Sequence, residues 1–599
     1  MSLIHQIQKA VIDSLKELYK IEINISDFQV NETKPEFTGD YTVVLFSLLK
    51  TLKKSPEELG NTLGKYLTES YFHLFSGYNV IKGFLNLSVA NSSLTDFIEN
   101  NFNNARYGHQ SPSGKRVMVE YASPNTNKPL HLGHLRNIFL GWSTAEILKA
   151  RGNEVFKSSI VNDRGIHICK SMIAWQQYGE GETPDSTGTK GDHLVGKYYV
   201  KFNEKYQKEV ADLVTSGMKE SEAKKEAPIM KQTQQMLIGW ETGDVEVRAL
   251  WEKMNGWVYD GFDETFKRIG ADFDKTYYES NTYLLGKDFV MQGLDSGAFY
   301  KKEDGSIWID LSEAGMDEKL LLRGDGTSVY ITQDMGLVKQ KFEEFNLDES
   351  LYVIGDEQIY HMKVLKEICK KLEMPFANNI SHLSYGMVEL TTGKMKSREG
   401  TVVDADDIID EMIQTAKQHT EELGKVKDFT EEELKNLYHI LGLGAMKFYL
   451  LRVEPKKRMV FNPEESIDFH GFTGPFVQYT YARIQSILRK ITAEEKEEIL
   501  QTTAGDQALV PEKLEREVML YLEKYPETIL QAASEFNPSV IAAYAFYLAK
   551  TYNSFYAEHS VTNAENNLSK KLRLQLSIMT ANVINSAMGL LGMQGPEGM

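Results

Sequence analysis

The 599-residue chain has only two cysteines, Cys169 and Cys369, far apart in sequence. That scarcity excludes a disulfide framework and any cysteine-rich zinc site, and it suits a reducing compartment. Long hydrophobic runs are missing too. The opening "MSLIHQIQKAVIDSLKELYK" breaks its apolar pattern with Lys, Asp and Glu, so it reads as an amphipathic helix and not as a signal peptide. No later stretch is long and apolar enough for a membrane span, and a cytoplasmic protein with no membrane partner is expected. Positive charge is in deficit, with a formal net charge of −18. Taken alone, this speaks against a nucleic-acid partner, because phosphate binding is mainly electrostatic. The average hides a local patch: between Lys447 and Lys490, eight Lys or Arg stand against four Asp or Glu, most densely in "LRVEPKKRM". Such a run is usually a solvated face.

What is present divides into domains, as a chain of this length must. Leu3, Ile7, Val11, Leu15 and Leu18 recur at helical spacing. "YTVVLFSLLK" is apolar, and "NVIKGFLNLSVA" alternates like one half-buried strand. Residues 1–110 are therefore expected to form a small α+β domain, closed by the polar "NNARYGHQSPSGK". Next come a strand "KRVMVEYAS", a helix from about Leu130 to Ala150 stopping at Gly152 and Asn153, and a strand "EVFKSSIV". This βαβ unit implies a parallel sheet with a right-handed crossover. "SIWIDL", "SVYITQD", "SLYVIGDEQ" and "HLSYGMVEL" look like further strands. Residues 111–400 are thus expected to form a Rossmann-type parallel-sheet α/β domain, with a mostly helical insertion at about 176–258. Beyond Thr401 the pattern is helical, and Thr430 with Glu433 forms a capping box. Residues 401–455 read as a connecting helical region and 456–599 as an all-α domain.

"SPNTNKPLHLGH", Ser123 to His134, falls where open parallel sheets bind ligands, between a strand's carboxyl end and the next helix. Pro129 suits the first helical turn, and a helix N-terminus welcomes an anion. His131 and His134 share a face, and Gly133 lets a flat ring approach the backbone. Two histidines without further ligands make a poor zinc site, so no metal centre is expected. The ordinary alternative is a helix start with two satisfied histidines, and this stretch alone leaves both open.

"HLGH" resembles the HIGH signature of class I aminoacyl-tRNA synthetases, and "SPNTNKPLHLGHLRN" resembles its form in the arginyl-tRNA synthetases. "GKMKSREGTVV", Gly393 to Val403, resembles the KMSKS loop of the same class, some 260 residues on and in the right order. "VNDRG", "RGDGTSVYITQDMG", "GDEQIYH", "FTGPFVQYTYARIQSILRK", "FTGDY" and "GFLNL" are similar to further family segments. The likeness covers nearly the whole chain and is least secure at 176–258.

The resemblance implies ATP-dependent activation of L-arginine to arginyl-adenylate with release of pyrophosphate. Transfer of arginine to the 3′-terminal adenosine of tRNA(Arg) follows. ATP is then a substrate, with Mg²⁺ held through its phosphate oxygens and no zinc. His131 and His134 would contact the phosphates, Gly133 would let adenine pack, and Lys394, Met395 and Lys396 of the second loop would bind ATP, the lysines clamping pyrophosphate. Ser397 stands where the KMSKS pattern has its second lysine, and Lys128 or Lys396 would replace it.

A planar guanidinium calls for carboxylates that accept paired hydrogen bonds. The resemblance assigns these to Asp334 and Glu279, with Tyr330 against the arginine side chain. Ser123, Asn125, His134 and Gln358 would hold its α-amino and carboxylate end, assisted by Glu120. Asp334 is also placed to cap a helix starting "MGLVKQK". Such a pocket rejects lysine without editing, so no editing domain is expected. By the same likeness residues 456–599 bind the anticodon stem-loop, through Lys456, Lys457, Arg458, Tyr479, Tyr481 and Arg483. Residues 1–110 would touch the tRNA elbow, and a monomer is expected. Among rivals, a cysteinyl enzyme would need zinc ligands, and a non-catalytic tRNA-binding relative has no use for intact His131, His134, Lys128 and Lys394.

Overall fold

The computed structural model describes residues 2–390, 403–422, 429–501 and 509–598. The first hundred residues build an antiparallel sheet in the order Gln29–Glu32, Tyr41–Val44, Phe84–Val89, Phe75–Ile81. Helices Leu3–Tyr19 and Pro56–Ser70 accompany it. The alternating "NVIKGFLNLSVA" is a hairpin and not one strand. Lys82 and Gly83 take φ of 48° and 84°, as in the two-residue turn whose twist matches its flanking strands. Helix Asn91–Asn101 packs on Lys513–Glu523 and Asn567–Leu590, near the other end of the chain. There Arg516 donates to Asp40 and Asn91, and buried Glu523 accepts from the Leu3 N–H and the Tyr41 hydroxyl.

The central sheet has five strands: β1 (Arg116–Glu120), β2 (Glu154–Val161), β3 (Lys275–Tyr278), β4 (Glu349–Gly355) and β5 (Ile380–Tyr385). Their order is β5-β4-β1-β2-β3, and every pairing is parallel, as expected. The strand order reverses between β1 and β4, which makes the carboxyl ends of those two strands the binding crevice. Helix α1 (Leu132–Ala150) joins β1 to β2. Between β2 and β3 the chain is helical from Ile166 to Ile269, and α2 (Gly191–Thr215) is one of its two long helices. Helix α3 (Tyr330–Phe345) precedes β4, and α4 (Ile359–Lys371) joins β4 to β5.

Three strand expectations need correction. "SVYITQD" opens helix α3 at Tyr330 instead of forming a strand. Its Val, Ile and Thr favour a strand locally, but Ile331, Met335, Val338 and Phe342 recur at helical spacing and are buried together, and that packing overrides propensity. "SIWIDL" supplies Ile307–Ile309 to a separate antiparallel sheet with Tyr300–Lys301 and Lys319–Leu322. "HLSYGMVEL" breaks at Gly386, and its second part, Val388–Leu390, pairs with Met459–Phe461.

Helix α5 (Ala405–Glu422) leads to α6 (Glu431–Leu451), which the expected capping box opens. The Glu433 carboxylate accepts from the Thr430 N–H at 2.7 Å, and Thr430 Oγ1 accepts from the Glu433 N–H at 3.3 Å. Helices α6, Gly474–Arg489, Pro538–Glu558 and Asn567–Leu590 pack on one another as an all-α unit.

Candidate active site

The loop leaving β1 begins with strain. Ala122 sits at φ 59°, a left-handed conformation that its Cβ makes costly. Its N–H donates to Asn137 Oδ1 of α1 at 2.7 Å, and its carbonyl accepts from the Ser159 hydroxyl of β2. The Asn137 amide in turn donates to the Val353 carbonyl of β4 at 2.8 Å. One asparagine therefore ties α1 to both walls of the crevice. After this kink Ser123 and Asn125 are exposed, while the Thr126 N–H and the Asn162 carbonyl bind the loop to the end of β2.

Pro129 lies before the helix and not in its first turn, because His131 is the N-cap of α1. The two histidines cap that helix reciprocally. His131 Nδ1 accepts from the Gly133 N–H, and His134 Nδ1 accepts from the His131 N–H, each at 3.1 Å. Their rings lie 3.8 Å apart between centroids. With Nδ1 accepting in both, the proton of each neutral ring sits on Nε2. Burial, helped by the Lys128 charge, lowers His131 to about 4. Burial, His131 and Lys128 hold His134 well below the usual range. Both are neutral donors at pH 7. A Cβ at Gly133 would stand 3.0 Å from His131 Cε1, so the flat ring that needs this glycine is first of all the histidine's own.

Lys394, Met395 and Lys396 lie outside the described residues. The chain returns at Val403, directly beside the first motif. The Val403 carbonyl accepts from the Leu132 N–H at 3.2 Å, the Leu130 carbonyl accepts from the Ala405 N–H at 2.9 Å, and Asp404 pairs with His131 between them. Ahead of the second motif, fully buried Arg136 of α1 donates to the carbonyls of Gly386 and Met387, and it ties them to Pro455 and Lys457 by donating to those carbonyls as well. Helix α1 and the loop before it thus anchor the chain on both sides of the second motif.

The acidic half lies across the same sheet edge. Glu279 follows β3 and is buried. Burial raises its carboxyl to about 7, Arg164 opposing and Asp163 and Asp334 adding to the rise. Asp334 is not the helix cap expected of it: α3 starts at Tyr330, so Asp334 lies a turn inside the helix, and its Oδ2 lies 2.6 Å from His361 Nε2 of α4. Tyr330, 73% exposed, and exposed Gln358 flank this half. Glu120 is buried, and its carboxylate is engaged by Lys341 beneath the Tyr352 ring.

Asp163 is the acidic-half residue that sequence reasoning left without a role, although "VNDRG" contains it. It is fully buried and accepts from the Ser280 N–H at 2.8 Å and from the Ser280 and Tyr259 hydroxyls at 2.7 Å. It thereby fixes the turn that carries Glu279. Its signal was a carboxylate at the carboxyl end of β2. Neighbouring Arg164 lies over the Tyr283 ring at 4.2 Å and pairs with Glu241 at 2.9 Å.

Ser123, Asn125, Lys128, His131 and His134 follow β1, Glu279 follows β3 and Gln358 follows β4, so they share the carboxyl end of the sheet with Asp334, whose charge acts on Glu279, and Tyr330 lies one turn before Asp334. The proposed tRNA contacts lie elsewhere. Lys456, Lys457 and Arg458 are exposed on the turn before Met459. Tyr479 and Arg483 are half-buried on helix Gly474–Arg489, with Arg483 over the Tyr479 ring at 4.8 Å and donating to Asn553 Oδ1 at 2.7 Å. Tyr481 stands against Gly595 close to the C-terminus.

Three family models match the chain. One describes the catalytic domain of class I (R) tRNA synthetases and matches residues 98–462, the second is the DALR anticodon binding domain at 477–599, and the third is the arginyl tRNA synthetase N terminal domain at 5–89. Curated relatives include the arginine–tRNA ligase of Amoebophilus asiaticus, 49% identical with 99% of each chain covered. That of Bacteroides thetaiotaomicron is 50% identical over 98% of each. Among solved structures, the Thermus thermophilus arginyl-tRNA synthetase superposes with a TM-score of 0.78 at 24% identity, each chain covered in full. The Plasmodium falciparum enzyme gives 0.76 at 18%, over 100% of this chain and 99% of that one. At those identities the two structures speak for the fold.

Proposed function

The chain belongs to the arginyl-tRNA synthetase family, and we propose that the crevice between β1 and β4 carries the family's reaction in it. The enzyme is an ATP-dependent class I ligase that joins L-arginine to tRNA(Arg). In the first step an arginine carboxylate oxygen attacks the α-phosphorus, the bond to the β-phosphate oxygen breaks, and pyrophosphate leaves. In the second a ribose hydroxyl of the terminal adenosine attacks the arginyl carbonyl and displaces AMP.

The observation that carries the residue assignment is the neutral, reciprocally capping histidine pair at the head of α1. Each Nε2–H is a fixed donor for charge that develops on the α-phosphate, and such preorganised donors are the strongest general catalytic device. Lys128 adds a positive charge next to them and takes the place of the second KMSKS lysine. Lys394, Met395 and Lys396, which lie outside the described residues, are assigned to ATP, the two lysines to its pyrophosphate. Mg²⁺ accompanies ATP through its phosphate oxygens. Asp334 and Glu279 accept the guanidinium fork, Tyr330 covers it, and Ser123, Asn125 and Gln358 hold the other end of the amino acid. We assign residues 456–599 to the anticodon stem-loop and 1–110 to the tRNA elbow, in a cytoplasmic monomer.

The test is pyrophosphate exchange into ATP, one amino acid at a time, with and without total tRNA. Exchange with arginine alone, and only with tRNA present, is expected. Exchange with another amino acid would overturn the pocket assignment, and none under any condition would favour a non-catalytic tRNA-binding protein.

A further inference from the structure

The helical insertion reaches the head of α1 from two sides. Gly196 of α2 is pressed on Pro129, where an added Cβ would stand 2.9 Å from the proline Cδ. One turn earlier, His193 Nε2 lies 3.2 Å from Asp404 Oδ2 and 3.4 Å from Asp406 Oδ2. Lys190 Nζ lies 2.7 Å from Asp406 Oδ2 and 3.2 Å from Asp192 Oδ2, and it donates to the Thr265 hydroxyl. Arg268, from the last helix of the insertion, adds its guanidinium 3.7 Å from Asp406 and pairs with Asp410. Asp404 Oδ1 also accepts from the Asp406 N–H at 2.8 Å, so the two aspartates act as one turn.

That turn is the segment whose backbone clasps the first motif, through Val403 to Leu132 and Ala405 to Leu130, with Asp404 opposite His131. We propose that the insertion is a positioning element for the adenylation step: Lys190 and His193 hold Asp404 and Asp406, and so fix the backbone of His131. The inference rests on the reading of His131 as a phosphate donor. It gives the insertion a part in the chemistry, in addition to any surface it offers to tRNA.

Asp192, His193 and Asp406 have ligand atoms close enough for a metal ion. Lys190 already supplies the cation there. The imidazole of His193 adds a second positive charge: burial opposes it, but the carboxylates of Asp404 and Asp406 raise it to about 10. Three cations from the insertion therefore meet two aspartates of the clasping turn, which is the arrangement of a strut and not of a vacant site.

A small misplacement of a catalytic group costs up to about a hundredfold in rate, so a loosened strut should lower turnover without touching the arginine pocket. The experiment is arginine-dependent pyrophosphate exchange by the full chain with tRNA present, for His193→Ala, His193→Lys and the control Lys197→Met. Lys197 pairs with Glu182 inside the insertion at 2.7 Å and has no part in the strut. His193→Ala should lower kcat about tenfold with arginine KM unchanged, His193→Lys, which keeps a positive charge beside the two aspartates, should recover much of that loss, and the control should match the wild type. The proposal is overturned if His193→Ala turns over like the control, or if its arginine KM changes as much as its kcat. Should His193→Ala not fold, Lys190→Met gives the same reading. His131→Ala separates the two levels: if it leaves exchange intact, the reading of the first motif fails, whereas its loss beside a fully active His193→Ala removes the strut alone.

Discussion

The two halves of the crevice answer burial in opposite directions. At the head of α1, burial strips protons from His131 and His134 and leaves two neutral donors. At the end of β3, burial leaves a proton on Glu279 until about pH 7. At these residues both halves thus hold less charge than the residue types suggest. They differ in margin. His131 would need a pH near 4 to change state, while Glu279 is poised at the working pH. The nucleotide half should therefore ignore pH around neutrality, and the amino-acid half should follow it.

The sharpest way to break this contrast is to delete the nucleotide half. His131→Ala should lower arginine-dependent exchange by about 10²–10³, the usual cost of one preorganised donor, and leave arginine KM unchanged. A parallel rise in KM would mean the halves are not separate. Next comes the other half. Asp334→Ala should raise arginine KM about a hundredfold, as truncating one partner of a hydrogen-bonded charge pair does. An unchanged KM would remove Asp334 from the pocket.

A smaller effect tests the margin itself. In the proposed pocket a guanidinium pairs with the Glu279 carboxylate, which holds a proton below about 7, so binding there would expel it. Arginine KM should therefore rise as pH falls below 7, by up to about tenfold per unit. Measured from pH 5.5 to 8.5, that slope should vanish in Glu279→Gln. The smallest change concerns strain and not charge. Ala122→Gly should relieve about 1 kcal/mol of left-handed cost and raise the melting temperature slightly, without altering the pH profile of either half.

How far the sequence could be read depends on where the signal lies. Period and spacing were enough for the βαβ unit, the capping box at Thr430 and the helical C-terminal unit, because local pattern and packing agree there. They misled at Tyr330, where β-branched residues open a helix that only the buried face of α3 explains. They also merged a hairpin into one strand, since Lys82 carries no mark of the positive φ it adopts. The histidines were legible as a pair, but their neutrality was not, because it comes from burial and from the neighbouring Lys128 charge. Asp163 was visible as a letter and invisible as an anchor, since its partners Tyr259 and Ser280 are about a hundred residues away in sequence.

Arg516 and Asp40, which clamp the first unit to the helices of the last, are 476 positions apart. On a ribosome adding about 5–20 residues per second, Asp40 waits roughly 25–95 s for its partner. Through that interval the docking face of the N-terminal unit is bathed in water, a state its polar Asp40, Asn91 and Tyr41 hydroxyl can tolerate. Newborn chains therefore carry an undocked N-terminal unit until the helices of the last unit have been made, and an interrupted one never acquires its partner face.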